Sequence, residues 1–313
     1  MDCLSDALNN LRFQGTVYCL AEFSAPWGLR LEPREGHVSF FLPVRGTCIV
    51  TFDEMPKPFI LAGGELILSP RGSGCTLQDS AATPAIPIQE AVGLPPPRGA
   101  TLKYGGGGSS TSMVMGCFTL EAYGKNPLLS SLPGAIYLDN SQLQSEPWLE
   151  ATTRLLSAEA SSSRPGSDIL VGRLADILFI QTIRAFMSQL KGCPESGGWL
   201  KALSDPNIGA ALCLIHEQPE APWTVQSLAA AVGMSRTSFA TKFTALVSET
   251  PIDYLTSWRM QKALRLMSNG QDNMAMLAAA VGYSSEAAFS KAFKRELGES
   301  PGGVRRKLAA VPT

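Results

Sequence analysis

Two groups of hydrogen-bonding side chains stand about fifty positions apart in this 313-residue chain. The first is Arg236, Thr237, Thr241 and Lys242; the second is Ser285, Glu286, Ser290 and Lys291, followed by Lys294 and Arg295. Guanidinium, hydroxyl, ammonium and carboxylate groups near the start of a helix suit non-covalent reading of base edges in a major groove. Arg236 is the best suited to a bidentate guanine contact. Glu286 has two readings of equal weight: an acceptor for the cytosine amino group, or a first-turn acid favouring the helix dipole. Lys294, Arg295 and the run Arg305 to Lys307 read as phosphate contacts or solvated charge.

Bond-making chemistry finds little support. Histidine occurs only at His37 and His216, too sparsely for a Ser-His-Asp or Cys-His arrangement. A metal site would have to use His37, Cys75 and Glu65; the plainer reading puts His37 at a strand end or on the surface. No catalytic residue, metal ligand or cofactor is therefore expected. His216 falls late in a helix, a structural place that suits the helix C-terminus. Cys48, Cys75 and Cys117 lie in or beside expected strands. Redox sensing there would need a low-pKa thiolate, with Arg45 or Arg71 supplying positive field; the alternative is buried cysteines acting as small hydrophobes.

The elements that must position the base-reading groups occur twice. Leu228-Ala-Ala-Ala-Val-Gly-Met-Ser235, Phe239, Phe243 and Glu249-Thr-Pro251 recur as Leu277-Ala-Ala-Ala-Val-Gly-Tyr-Ser284, Phe289, Phe293 and Glu299-Ser-Pro301. Each copy spells a short Ala-rich helix, a glycine turn and a second helix anchored by a Phe pair, the pattern of a helix-turn-helix. Gly233 and Gly282 supply the left-handed turn, and Ser235, and Ser284 or Ser285, the N-cap of the next helix. Pro251 opens a helix through Met267 that joins the copies, with Asn269-Gly270 as its stop.

Charge must be counted by region. The whole chain has 26 basic and 27 acidic residues. From Thr224 onward eleven basic residues face six acidic ones, leaving +5 there and −6 elsewhere. That asymmetry fits a nucleic-acid-binding end on an acidic body.

Towards the N-terminus, Thr16–Leu20, Ser39–Leu42, Thr47–Phe52, Glu65–Ser69 and Met113–Leu120 alternate with Gly/Pro turns as short strands of a sandwich or barrel. Gly105 to Ser110 reads as a mobile loop between strands. Leu143–Glu159, Asp168–Leu190 and Asp205–His216 read as amphipathic helices, with the hinge at Lys191–Gly198. No apolar run spans a membrane, the start lacks a basic signal region, and seven irregularly spaced cysteines fit a reducing cytoplasm.

The C-terminal residues resemble the AraC/XylS family of transcription regulators over about Asp205 to Arg306. Trp223-Thr224, Gly233-Met234-Ser235, Tyr254-Leu255, Trp258-Arg259-Met260, Val281-Gly282-Tyr283 and Gly298-Glu299-Ser300-Pro301 carry the likeness. Gly302-Gly303-Val304 departs from it, where the family usually has an aromatic residue. The N-terminal part resembles the cupin-type sensor domain of one branch, on Pro26 to Arg30, Arg45-Gly46-Thr47-Cys48, Leu61 to Leu68 and Ser69-Pro70-Arg71-Gly72. In that branch a His usually stands where Phe41 and Cys75 stand here. The resemblance implies an α+β chain: a cupin-like β-barrel with accessory helices (1–190), a linker (191–204) and an all-α domain of two helix-turn-helix modules joined by a long helix (205–313). It implies binding to double-stranded DNA, contact with RNA polymerase, a small-molecule effector in the barrel and a homodimer formed through nearby helices. By residue type Trp27, Phe40, Phe41 and Leu42 are candidates to line the effector pocket, the commoner reading of such residues being plain core.

Overall fold

In a computed structural model the described residues are 3–9, 11–93, 101–122, 126–162, 164–190, 198–271 and 273–310. The chain divides into two compact units. One comprises Phe13–Glu121 and Leu132–Gln189; the other comprises Met1–Arg12, Ala122–Ser131 and Leu190–Thr313. The N-terminal residues and the 122–131 segment thus belong with the C-terminal unit, a division finer than a cut at residue 190.

The first unit is built on strands β1 (Leu11–Ser24), β2 (Gly28–Leu31), β3 (His37–Arg45), β4 (Thr47–Phe52), β5 (Met55–Ala62), β6 (Leu66–Ser69), β7 (Cys75–Gln78), β8 (Ile86–Pro87), β9 (Thr101–Gly105), β10 (Ser110–Ala122) and β11 (Ile136–Leu138). They form a six-stranded sheet, β11-β6-β3-β10-β1-β9, and a five-stranded one, β5-β4-β7-β2-β8. Period-two alternation sends Cys48, Val50 and Phe52 of β4, Phe41 of β3 and Met113 and Met115 of β10 into one core shared by the two sheets. The β expectation for this part holds, with the two sheets sharing one core.

Helices α1 (Cys3–Asn9), α2 (Ile88–Val92), α3 (Pro127–Ser131), α4 (Asn140–Ser145), α5 (Pro147–Ala160) and α6 (Ser167–Leu190) accompany the strands in sequence. The helix expected over Leu143–Glu159 is two, because Pro147 starts a new one. Phe118 of β10 meets Phe179 of α6 edge-on at 5.5 Å, so α6 covers the outer face of the larger sheet.

The glycine tract is not a mobile loop. Gly106 N–H donates to Ser24 O at 2.9 Å and Gly108 N–H to Ala25 O at 2.8 Å, while Ser109 O accepts from Ala25 N–H at 2.9 Å. A Cβ on Gly108 would sit 2.7 Å from Ala25 O. Glycine here permits backbone to approach backbone.

The second unit continues with α7 (Trp199–Ser204), α8 (Pro206–Glu217), α9 (Val225–Ala231), α10 (Arg236–Val247), α11 (Pro251–Ser268), α12 (Met274–Ala280), α13 (Glu286–Leu297) and α14 (Pro301–Ala310). Residues 199–204, expected as linker, are helical because Trp199, Leu200 and Ala202 find a core to enter; the hinge at 191–197 lies outside the described residues. The Gly302-Gly303 departure does not prevent α14 from forming. No described helix is long and apolar enough to cross a membrane.

Candidate nucleic-acid interface and sensor cavity

Each module is assembled by local rules. Thr224 caps α9, its hydroxyl accepting from Ser227 N–H at 3.0 Å. Gly233 (φ 69°) and Gly282 (φ 81°) turn the chain, and Ser235 and Ser285 accept from Ser238 and Ala288 N–H, both at 3.2 Å. Ser285, not Ser284, is therefore the cap of α13. Phe239 and Phe243, and Phe289 and Phe293, are wholly buried. Burying one face at i and i+4 leaves the opposite face of α10 and α13 in solvent.

On α10 that face shows Thr237 and Thr241, with Arg236 exposed in the first turn; on α13 it shows Lys291, Lys294 and Arg295, with Glu286 exposed in the first turn and Ser285 ahead of it. Ser290 is half-buried. Lys242 is turned aside: its Nζ lies 2.6 Å from Asp205 Oδ2, and Asp205 caps α8 by accepting from Asn207 and Ile208 N–H at 3.1 and 3.0 Å. Arg295 leans on Glu296 at 3.0 Å. Among the described residues, Arg236, Lys291 and Lys294 are exposed cations with no ion-pair partner. The same faces present Ser238, Thr244 and Ala245 of α10 and Ala287 and Ala288 of α13. Sequence reasoning omitted these five; counting round the helix from each Phe pair reaches them.

Two buried polar assemblies fix the frame. Arg259 of α11 donates from Nε to Pro219 O at 2.6 Å and from Nη2 to Ala221 O at 2.8 Å, and its guanidinium lies 5.6 Å from the centre of the Tyr283 ring. Burial pulls its pKa down. Arg259 is thus a buttress between α11, the loop before α9 and the turn of the second module. A Cβ on Gly282 would meet both Glu220 O and Arg259 Nη2 at 2.7 Å, so this glycine is needed for space as well as for φ.

The second assembly is a stack. The His216 ring lies 3.5 Å from Trp258, within 5° of parallel. Trp199 Nε1–H donates to Tyr254 Oη at 2.7 Å, and Tyr254 Oη lies 2.7 Å from His216 Nε2. Burial drives the His216 pKa down to about 3, outweighing the pull of the Cys3 backbone. A neutral imidazole accepts a hydrogen bond from Tyr254 Oη–H, so the bonds run in one sense from Trp199 through Tyr254 to His216. A role through the helix dipole needs a charged ring, so His216 serves instead as a neutral acceptor joining α8 to α11.

The first unit has an open-mouthed cavity of about 190 Å³ among strands of both sheets. Leu31, Phe41, Leu102, Met115 and the thiols of Cys19, Cys75 and Cys117 give it an apolar wall, and Glu32, Arg34, His37 and Gln89 also border it. Ser73 borders it too, and its Oγ is buried with no hydrogen-bond partner. Of the four aromatic and apolar candidates only Phe41 lines this space. Phe40 and Leu42 alternate to the opposite face of β3, the side bearing Phe118, and Trp27 packs in the core against Phe23 at 4.7 Å.

His37, Cys75 and Glu65 make no metal site. His37 Nδ1 bonds Glu35 O at 3.0 Å, and Glu65 Oε2 accepts from Ala62 N–H at 2.8 Å and Tyr137 Oη–H at 2.9 Å. Among the described residues no cluster of three His, Cys, Asp or Glu has metal-binding geometry. Nor does the positive field reach the thiols as expected: Arg71 Nη2 is engaged by Leu132 O at 2.6 Å. Burial pushes Cys48 and Cys75 up to about 12 and Cys117 also upward, with Arg30 beside Cys75 and Arg34 beside Cys117 opposing only in part. Those thiols stay protonated, as small hydrophobes do. One cysteine pair departs from the expectation of free thiols: Cys3 and Cys213 are joined.

Family models agree with this architecture. A cupin model matches residues 2–188 and a helix-turn-helix domain model residues 228–307. The HTH-type transcriptional regulator AlkR of Acinetobacter baylyi is 30% identical over 310 residues, 98% of this chain and all of that protein. A putative AraC-like transcription regulator of Streptomyces lividans is 31% identical over 308 residues, 98% of each chain. The RCS-specific HTH-type transcriptional activator RclR of Escherichia coli is 34% identical over 201 residues, 64% of this chain and 69% of that one.

Proposed function

The chain belongs to the AraC-like family of DNA-binding transcription regulators with an N-terminal cupin domain, and from that premise we propose that it is a cytoplasmic, effector-responsive regulator without enzymatic activity. Helices α10 and α13 enter successive major grooves of double-stranded DNA. The observation that carries this reading is the repeated module: two second helices, each buried on a Phe pair and bare on the other face, are joined by α11. Arg236, Thr237, Thr241, Ser285, Glu286 and Ser290 read bases; Lys291, Lys294 and Arg295 hold phosphates; Lys242 keeps α8 in place while its neighbours read.

The effector is a compact and mainly apolar molecule held in the cavity, whose wall is aliphatic, aromatic and thiol, and a single hydrogen-bonding group on it would meet Ser73 Oγ. Its binding biases DNA engagement and contact with RNA polymerase. Trp148 and Leu155 of α5 and Ile169 and Ile177 of α6 are exposed, an apolar surface suited to a second copy of the chain.

The test is selection of binding sites from random duplex DNA by the full-length chain. Enrichment of two short boxes about one helical turn apart supports paired reading. Enrichment of a single box, or of none with the protein folded, overturns it.

A further inference from the structure

Cys3 and Cys213 are 210 positions apart in sequence and joined as a disulfide, with Cα atoms 5.3 Å apart. That separation lies inside the range of about 4.4–6.8 Å that the bond requires, so the two backbones are already placed for it. Cys3 starts α1 and is 3% exposed; Cys213 is half-buried in α8, one turn before His216. Both belong to the same compact unit, where α1 packs on α8. Past α1 the chain runs directly into β1, which supplies Tyr18 and Cys19 to the cavity wall. Helix α8 in turn packs against α9, α10 and α11 and carries the stacked His216. The bond therefore fastens the lead-in of a cavity-wall strand to the helix that supports the first reading module. The other described cysteines, Cys19, Cys48, Cys75 and Cys117, are single thiols.

We infer that Cys3 and Cys213 are a reversible thiol–disulfide pair, a second input through which hydroperoxides act on the regulator separately from the cavity's ligand. The half-buried Cys213 is the accessible partner. Its sulfur attacks a peroxide oxygen, the O–O bond breaks, and Cys213 becomes a sulfenic acid as one water (or alcohol) leaves. The Cys3 sulfur then attacks the Cys213 sulfur, the S–O bond breaks, and the S–S bond forms as a second water leaves. Two electrons pass from the thiols to the peroxide, and both thiol protons end in the released water or alcohol. A thiol reductant reverses the step by exchange. In a reducing compartment the resting state is the dithiol, and α1 is held to α8 without a covalent link.

The test uses the full-length chain, reduced, freed of reductant and titrated with hydrogen peroxide. Non-reducing peptide mapping is expected to show the Cys3–Cys213 link as the dominant product, lost on adding dithiothreitol and absent in Cys213→Ser. Amide hydrogen exchange in α1 is expected to slow about tenfold in the linked form, because opening of that helix then needs the bond's partner to move as well. If Cys213→Ser fails to fold, Cys3→Ser repeats the test from the other side. A dominant link through Cys193 or through the sheet cysteines overturns the inference. So does over-oxidation of Cys213 with no link, or identical exchange of α1 in the reduced and linked forms.

Discussion

At neutral pH the unit that reads DNA depends on a histidine without its proton, and acid should loosen it at a rate that can be worked out. The ordinary pKa of a histidine is 6.5, and that of folded His216 is about 3. Between these values the unfolded chain binds one proton more than the folded chain, so stability rises with pH across the window and is lost as pH falls. The loss approaches 1.4 kcal/mol for each pH unit once the unfolded ring is mostly charged. From pH 7 to pH 5 this one residue is expected to remove about 2 kcal/mol, and by pH 3 about 4 kcal/mol. Asp205 and Glu220, whose pKa values are lowered in the folded unit, act in the same sense but only below the ordinary carboxylate range, so the interval from 7 to 5 isolates the imidazole. The perturbation is His216→Gln, which keeps an acceptor for Tyr254 and has nothing to titrate. Native-state hydrogen exchange of α11 peptides in the full-length chain, each pH corrected for intrinsic exchange, reads the opening free energy. The variant starts less stable, since a stacked ring is gone, but its opening energy should be nearly flat from pH 7 to 5 while the parent's falls. Parallel slopes in the two proteins would refute the reasoning.

Other expectations follow from the same geometry. Lys291→Ala and Lys294→Ala should each lower the slope of log affinity against log salt by about 0.9, whereas Lys242→Ala should leave the slope unchanged and loosen the start of α8; equal slopes in all three, from salt titrations on one duplex, would reject the division. Arg236→Ala should relax preference at one base position by roughly 1–3 kcal/mol while other positions hold, read by competition with single-base variants of a selected site. Gly233→Ala should destabilise by about 1 kcal/mol, the left-handed turn alone, and Gly282→Ala by distinctly more, because its Cβ meets Glu220 O and Arg259; chemical denaturation that ranks them the other way would contradict the packing. Trp148→Glu should shift the chain towards monomer in sedimentation if the exposed faces of α5 and α6 pair two copies.

Much of the second unit was legible because its signals are local. Caps, turn glycines and the Phe pairs each act within a few residues, and Ser235, Gly233 and Phe239 sit where the pattern put them. What escaped was set by distant neighbours. Nothing near Lys242 announces Asp205, nothing near His216 announces Trp258, and Cys213 meets a residue 210 positions away. In the strands the alternation was visible but its phase was not: Phe40, Phe41 and Leu42 are all apolar, and only pairing with β10 shows that Phe41 alone turns to the cavity. The glycine tract misled because composition suggests freedom, whereas here it marks the close passage of residues 24–26.

The two modules share a scaffold but not a surface. At matching turns α10 offers Thr237, Thr241 and Thr244 where α13 offers Ala287, Lys291 and Lys294. With Lys242 tied to Asp205, Arg236 is the one cation on α10 without an ion-pair partner among the described residues. In the proposed reading, counterion release then comes mainly from Lys291 and Lys294 of α13, since Lys307 of α14 is itself paired with Glu299 at 2.7 Å. The hydroxyls and single guanidinium of α10 add little attraction for phosphate and gain energy only where base edges match them. The proposed reading thus has α13 holding α10 over the duplex, at the spacing set by α11, while α10 discriminates. Exchanging the exposed residues of α10 and α13 should therefore preserve overall affinity and reverse which half-site is read more strictly, an outcome that a scaffold with two equivalent readers would not give.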